Sequence, residues 1–215
     1  MELQKIIKDI SNERFEPCLL RCNGDQKKAF ELYEYNIKVS QSFYAPLSAL
    51  EITLRNKIDE SFKEHFGDDF WLGNVLPPVM GKQVTDLEQK LVRRKKTITN
   101  SSILAELNFG FWTILFNRRF AKTYWKPLHR IFEHIPKYQR KRSEISAKLN
   151  HIRTFRNRIY HYEPIIWDLN VLDQKHKDIL DVLYWLNPET AEWVNSIDTY
   201  EDIKSRVRMN ELTQV

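Results

Sequence analysis

The chain has 215 residues, enough for one well-filled core, and reads most simply as a single domain spanning 1–215. Five glycines and eight prolines are too few for a strand-and-turn architecture, so the expected fold class is all-α. Cys18 and Cys22 stand at i and i+4 with no CxxC and no histidine nearby, which argues against a disulfide framework or a metal site and for reduced thiols in a cytoplasmic protein.

Met1 to Ile10 is charged throughout, unlike a secretory signal, and no apolar run approaches the roughly 20 residues of a membrane span. The net charge of +5 conceals an asymmetry. Gly81 to Tyr160 holds 19 Lys or Arg against 5 Asp or Glu, and the remainder holds 15 against 24. A basic middle between acidic ends points to a polyanion bound on one surface. The clusters Arg93-Arg94-Lys95-Lys96 and Arg140-Lys141-Arg142 are the candidate contacts, where the plainer reading is a set of solvated helix faces.

Hydrophobic periodicity predicts helix nearly throughout. A short helix spans Leu3 to Ile10. After Asn23-Gly24-Asp25 a long one runs from about Gln26 to Tyr44, with Phe30, Tyr33, Ile37 and Tyr44 near one face. Pro46 then interrupts, since the residue before a proline is pushed out of the helical region. Leu47, Leu50, Leu54, Ile58 and Phe62 mark the buried face of the next helix, which ends before Gly67. Trp71 to Pro78 reads as an irregular connection, Lys82 to Lys96 as a polar helix, and Ser101 to Phe116 as the most apolar helix of the chain. Pro127 and Pro136 break the basic, aromatic stretch from Arg118 to Gln139. A helix from about Gln139 to Tyr162 stops at Glu163-Pro164, and shorter helices follow at Asp173 to Leu186, Glu189 to Asn195 and Ile203 to Met209.

The helix that ends at Tyr162 carries the densest chemistry. Arg153, Arg156, Asn157, Arg158 and His161 fall within nine residues. Ile145, Leu149, Ile152 and Ile159 share one face, and Arg156 occupies the position where the next apolar residue is expected. A buried arginine needs an acceptor, and Glu51 is the first candidate. Arg153, Asn157 and His161 follow one another at one-turn spacing, so all three can face one groove. An imidazole titrates near neutrality and suits proton transfer. A guanidinium matches phosphate oxygens, and Asn157 can orient His161 or bond a phosphate.

Residues five apart on an ideal helix diverge by about 140°. Arg156 and His161 therefore meet one phosphate only if the last turn distorts or if each faces its counterpart in a second copy. In the plainer reading His161 only complements the helix dipole. Glu51, Arg55 and Asn56 form a second polar patch, in which Glu51 and Arg55 are spaced for an ion pair. Tyr160 and Tyr162 flank His161 as stacking or subunit-interface candidates. Phe109 to Phe116, with Trp112 and Trp125, reads as core.

The run Arg153 to Pro164 resembles the Arg-Asn-x-x-x-His motif of HEPN-domain ribonucleases, and the chain is similar to their Abi (abortive infection) branch. Leu50-Glu51-Ile52-Thr53-Leu54-Arg55-Asn56 resembles the first helix of that family. Ala105 to Trp112 resembles its central aromatic-Gly-aromatic-Trp segment, and Ile152 to Ile165 its closing run. The resemblance covers roughly residues 25 to 170, with C-terminal helices over 171–215 beyond it. It implies a HEPN-like helical bundle and a homodimer that cleaves RNA without metal or cofactor, giving a 2′,3′-cyclic phosphate in phage defence of a toxin type. Arg156, Asn157 and His161 would be catalytic and Glu51, Arg55, Asn56, Tyr160 and Tyr162 supporting, with Arg153, Arg158 and the two basic clusters on the RNA. The alternatives are an RNA-binding protein that sequesters, or is held by, a structured small RNA, and a helical scaffold in a defence complex.

Overall fold

A computed structural model of the protein describes residues 3–205. The described residues form thirteen α-helices and two 3-10 turns, with no strand among them. No helix among them is long and apolar enough to cross a membrane. The chain groups into two compact units. Met1–Ser48, Thr154–Leu180 and Trp193–Val215 make the first, and Ala49–Arg153 with Asp181–Glu192 the second.

In the first unit, α1 (Leu3–Ile10) leads into α2 (Asn12–Arg21), a helix outside the predicted set that continues through Pro17. Ser11 opens α2 by accepting the Arg14 N–H. Asp25 caps α3 (Gln26–Ser42), and the chain turns at Phe43 into α4 (Tyr44–Phe66). Pro46 does not interrupt α4. It occupies the first turn, where its missing N–H has no intrahelical partner to lose.

The buried face of α3 is Ala29, Leu32, Tyr35, Asn36 and Val39, one residue out of step with the predicted stripe. Phe30 and Tyr33 are half-buried, and Ile37 and Tyr44 are exposed. Phe43 anchors this core, with its ring 4.8 Å from Phe155 and 5.1 Å from Tyr200.

A polar network closes the C-terminal side of the first unit. It joins α11 (Leu169–Leu186), the end of α12 (Pro188–Ile197), and α13 (Tyr200–Ser205). His176 stacks on Tyr200 at 4.4 Å and bonds Asp198, while the Tyr200 hydroxyl and Lys204 both donate to Asp173 at 2.8 Å. Burial alone would raise the Asp198 carboxyl, but the His176 bond and the Tyr200 N–H hold it below its usual range. Asp173 is likewise lowered, because Lys204 and Tyr200 outweigh its burial. Burial pushes the Cys18 thiol up to about 11, so it stays protonated and inert at neutral pH. The predicted Ile203 to Met209 helix is met only by α13, since residues 206–209 lie outside the described residues.

The second unit is built on the buried stripe Leu50, Leu54, Ile58 and Phe62 of α4, which ends at Gly67 with φ 64°. Trp71 opens α5 (Trp71–Asn74), and α6 (Pro78–Arg93) starts at a proline, the residue whose fixed φ suits the first helical position. The predicted Ser101 to Phe116 helix is two helices, α7 (Asn100–Glu106) and α8 (Phe109–Ile114). Asn108 separates them because its side chain accepts the Phe111 N–H at 3.1 Å and starts a new helix.

A 3-10 turn at Arg118–Phe120 precedes α9 (Ala121–Arg130), which contains Pro127 without breaking. A second turn at Lys137–Gln139 precedes α10 (Arg142–Tyr160). Phe62, Trp71, Phe111 and Trp112 fill this core, with ring separations of 4.7 Å for Phe62–Trp71 and 5.0 Å for Phe111–Trp112. Asp59 ties it together by accepting from Trp71 Nε1 and Asn100 Nδ2, each at 2.9 Å.

Candidate functional site

The apolar stripe of α10 runs Ile145, Leu149, Ile152 and then Phe155, which is 5% exposed. Phe155 therefore takes the place at which the sequence sets Arg156. A step of three residues stays on the stripe as readily as a step of four. Arg156 lies half-buried at its edge, and its guanidinium sits 4.3 Å from the centre of the Tyr160 ring.

The helix then closes in a Schellman turn. Tyr162 N–H donates to Ile159 C=O at 3.0 Å and Glu163 N–H to Arg158 C=O at 2.9 Å, with Tyr162 in the left-handed region at φ 60°. Two arginines fasten this end. Arg158 donates to Glu163 at 3.2 Å and to Pro164 C=O at 2.6 Å. Arg14 of α2, 147 residues away in sequence, donates Nη1 to His161 C=O at 3.0 Å and to Tyr162 C=O at 3.4 Å. A cation at the negative end of a helix satisfies orphan carbonyls and complements the dipole.

His161 is thus an exposed imidazole on a backbone held from both sides. Its own N–H donates to Asn157 C=O at 2.9 Å, so α10 keeps its regular pitch through residue 161. Asn157 is also exposed, and no side-chain bond joins the two among the described residues. With regular pitch the divergence of about 140° between Arg156 and His161 persists. Arg153, one turn before Asn157, is half-buried, and its Nε has no hydrogen-bond partner among the described residues.

The remaining predicted residues separate by what they already hold. Glu51 and Arg55 are half-buried on α4, and Arg55 donates Nε to the exposed Asn56 at 3.3 Å. In the first basic cluster, Arg94 and Lys96 converge with Lys90 on Glu106 at 3.4, 3.7 and 3.5 Å. Arg93 and Lys95 are exposed beside them, and Lys95 turns the chain at φ 55°. In the second cluster, Arg140 donates to Ile135 C=O and Arg142 to Phe116 C=O, while Lys141 pairs with Glu144 at 3.2 Å. These three cations brace local structure. No group of three or more His, Cys, Asp or Glu able to hold a metal ion occurs among the described residues.

Next to the end of α10 the first unit opens into a cleft of about 940 Å³. Tyr33 and Tyr44 form one side, Ile159, Tyr160 and Tyr162 another, with Asn36 and Arg14 between them. The predicted stripe Tyr33, Ile37 and Tyr44 is therefore a cleft wall, not core. Arg14 and Asn36 escape a reading of local motifs, because their roles arise only when distant segments meet. Compared with known proteins, no family model, no curated protein and no solved structure matches the chain.

Proposed function

We propose that the protein is a metal-independent endoribonuclease of the HEPN class and the Abi type, acting as a homodimer in abortive infection. The observation that carries this reading is the end of α10. There an exposed His161 rides on a turn fixed by Arg14 and Arg158, five residues beyond the half-buried Arg156. Fixing the backbone of a proton-transfer group removes the reorganisation that a mobile histidine would need.

In this reaction His161 takes the proton of a ribose 2′-OH. The new bond joins O2′ to phosphorus as the bond from phosphorus to O5′ breaks, and the leaving O5′ takes a proton from the protonated histidine of a second copy. The products are a 2′,3′-cyclic phosphate and a 5′-hydroxyl. Arg156 neutralises the charge that grows on the phosphate oxygens. Because Arg156 and His161 diverge on one helix, two copies related by a two-fold axis supply the pair across a shared cleft. Arg93 and Lys95 are the exposed cations through which the basic middle would hold the rest of the strand.

Purified protein incubated with total RNA in EDTA should generate 2′,3′-cyclic phosphate ends. His161→Ala should slow cleavage by about 10² to 10⁴-fold without lowering the melting temperature, since the ring is exposed. A variant that cuts as fast as wild type would remove His161 from the chemistry. Full activity from a species that light scattering shows to be monomeric would remove the shared site.

A further inference from the structure

We propose that the tyrosine-lined cleft of the first unit is a base subsite, which takes one unpaired nucleobase of single-stranded RNA next to the phosphate served by His161. The proposal rests on the ribonuclease reading and adds to it which part of the substrate is recognised. Three observations carry it.

The first is the wall. Tyr33, Tyr44, Tyr160 and Tyr162 all line the cleft, and Tyr44 and Tyr162 are 67% and 72% exposed, so their rings face solvent instead of filling core. Flat rings open to solvent on a nucleic-acid surface are stacking platforms for unpaired bases. A volume of about 940 Å³ holds a nucleotide with room to spare.

The second is Asn36, which is only 5% exposed yet lines the cleft. Its Oδ1 accepts the Ile165 N–H at 2.8 Å, which fixes the orientation of the amide. The amide nitrogen remains as a donor for a ligand in the cleft. Every nucleobase edge offers ring nitrogens or carbonyl oxygens that would satisfy it.

The third is charge and position. Among the described residues no carboxylate lines the cleft, and the one charged lining residue is Arg14. That arrangement tolerates a phosphate and disfavours a cationic ligand. His161 is flanked in sequence by two wall residues, Tyr160 and Tyr162, and Arg14 bonds the His161 carbonyl while its guanidinium lies 5.6 Å from the centre of the Tyr162 ring. A base held here leaves its own phosphodiester beside the imidazole. The nuclease would then act on loops and single strands, because a paired base cannot enter.

The test uses the full chain and a 2′-O-methyl decamer that cannot be cleaved, with one 2-aminopurine, beside the same decamer in a duplex. Wild type should bind the single strand in preference to the duplex and quench the 2-aminopurine by stacking. Tyr44→Leu should weaken single-strand binding by about tenfold and relieve the quench. Its exposure makes misfolding no explanation. Asn36→Asp keeps the acceptor for Ile165 and removes the donor, and should weaken binding as well. If wild type binds but Tyr44→Leu binds and quenches equally, the RNA reading stands and the base subsite is overturned. If wild type binds no RNA, the ribonuclease reading itself fails. If Tyr44→Leu turns a dimer into a monomer while RNA binding persists, the cleft is a contact between copies and the subsite is overturned.

Discussion

The aromatic side chains of the two units do opposite things. In the second unit Phe62, Trp71, Phe111 and Trp112 are each 0–1% exposed and pack edge to face, burying large apolar areas. In the first unit Tyr44, Tyr160 and Tyr162 stand 67%, 45% and 72% exposed around an open cleft. What separates the two sets is the company each ring keeps. The sealed rings sit among leucine, isoleucine and other rings. The open ones share their cleft with Asn36, Ser40 and Gln41 of α3. Rings in an apolar setting stabilise the fold, whereas rings interleaved with hydrogen-bonding groups are available to a ligand.

The strongest way to break this comparison is to empty the sealed side. Trp112 is fully buried, so Trp112→Ala should cost about 3–5 kcal/mol in denaturant unfolding. Tyr44→Ala, the same truncation on the open side, should stay within roughly 1 kcal/mol of wild type. Comparable losses for the two would mean that Tyr44 belongs to the core after all.

A smaller effect should follow from acid, because the two units are held by different chemistry. Asp198 and Asp173 titrate below their usual range in the folded first unit, so each binds a proton less readily folded than unfolded. Their stabilisation is present above the unfolded carboxylate value, about 3.9, and is lost as pH falls below it through the lower folded values. Hydrogen exchange between pH 5 and pH 2 should therefore lose protection in α13 and the start of α11 before α8. Uniform loss across both units would show that the His176–Asp198 and Lys204–Asp173 links do not set the acid limit.

The same contrast governs what the sequence disclosed. The stripe of α4 is legible because Leu50, Leu54, Ile58 and Phe62 have apolar neighbours in space, so their periodicity and their burial coincide. The equally regular Tyr33, Ile37 and Tyr44 do come to one face, but an open one, since periodicity reports a shared face and not what covers it. Local rules failed where the backbone found another partner. Pro17 and Pro127 sit inside helices that nonetheless continue, and Asn108 restarts a helix where hydrophobicity runs on. At the candidate site, the end of α10 was readable from Glu163-Pro164, and His161 from its flanking residues. Arg14 was not, because its bond to the His161 carbonyl joins residues 147 apart, a separation that no helical period reaches.

The finest test concerns Tyr162, which is both a cleft wall and a residue of L configuration in the left-handed region at φ 60°. That conformation costs a non-glycine residue about 1–2 kcal/mol, and glycine close to nothing. The ring recovers only part of this, since it is 72% exposed and its cation–π contact with Arg14, at 5.6 Å, is on the order of 0.5 kcal/mol. Tyr162→Gly should therefore unfold at a slightly higher temperature than wild type, and Tyr162→Ala, which keeps the strain and loses the ring, at a lower one. The two variants should differ by about 1 kcal/mol in stability while losing single-strand RNA binding equally. Equal stability would mean that the Schellman turn imposes no strain on residue 162. Retained RNA binding in Tyr162→Gly would mean that its ring is not a wall of the base subsite.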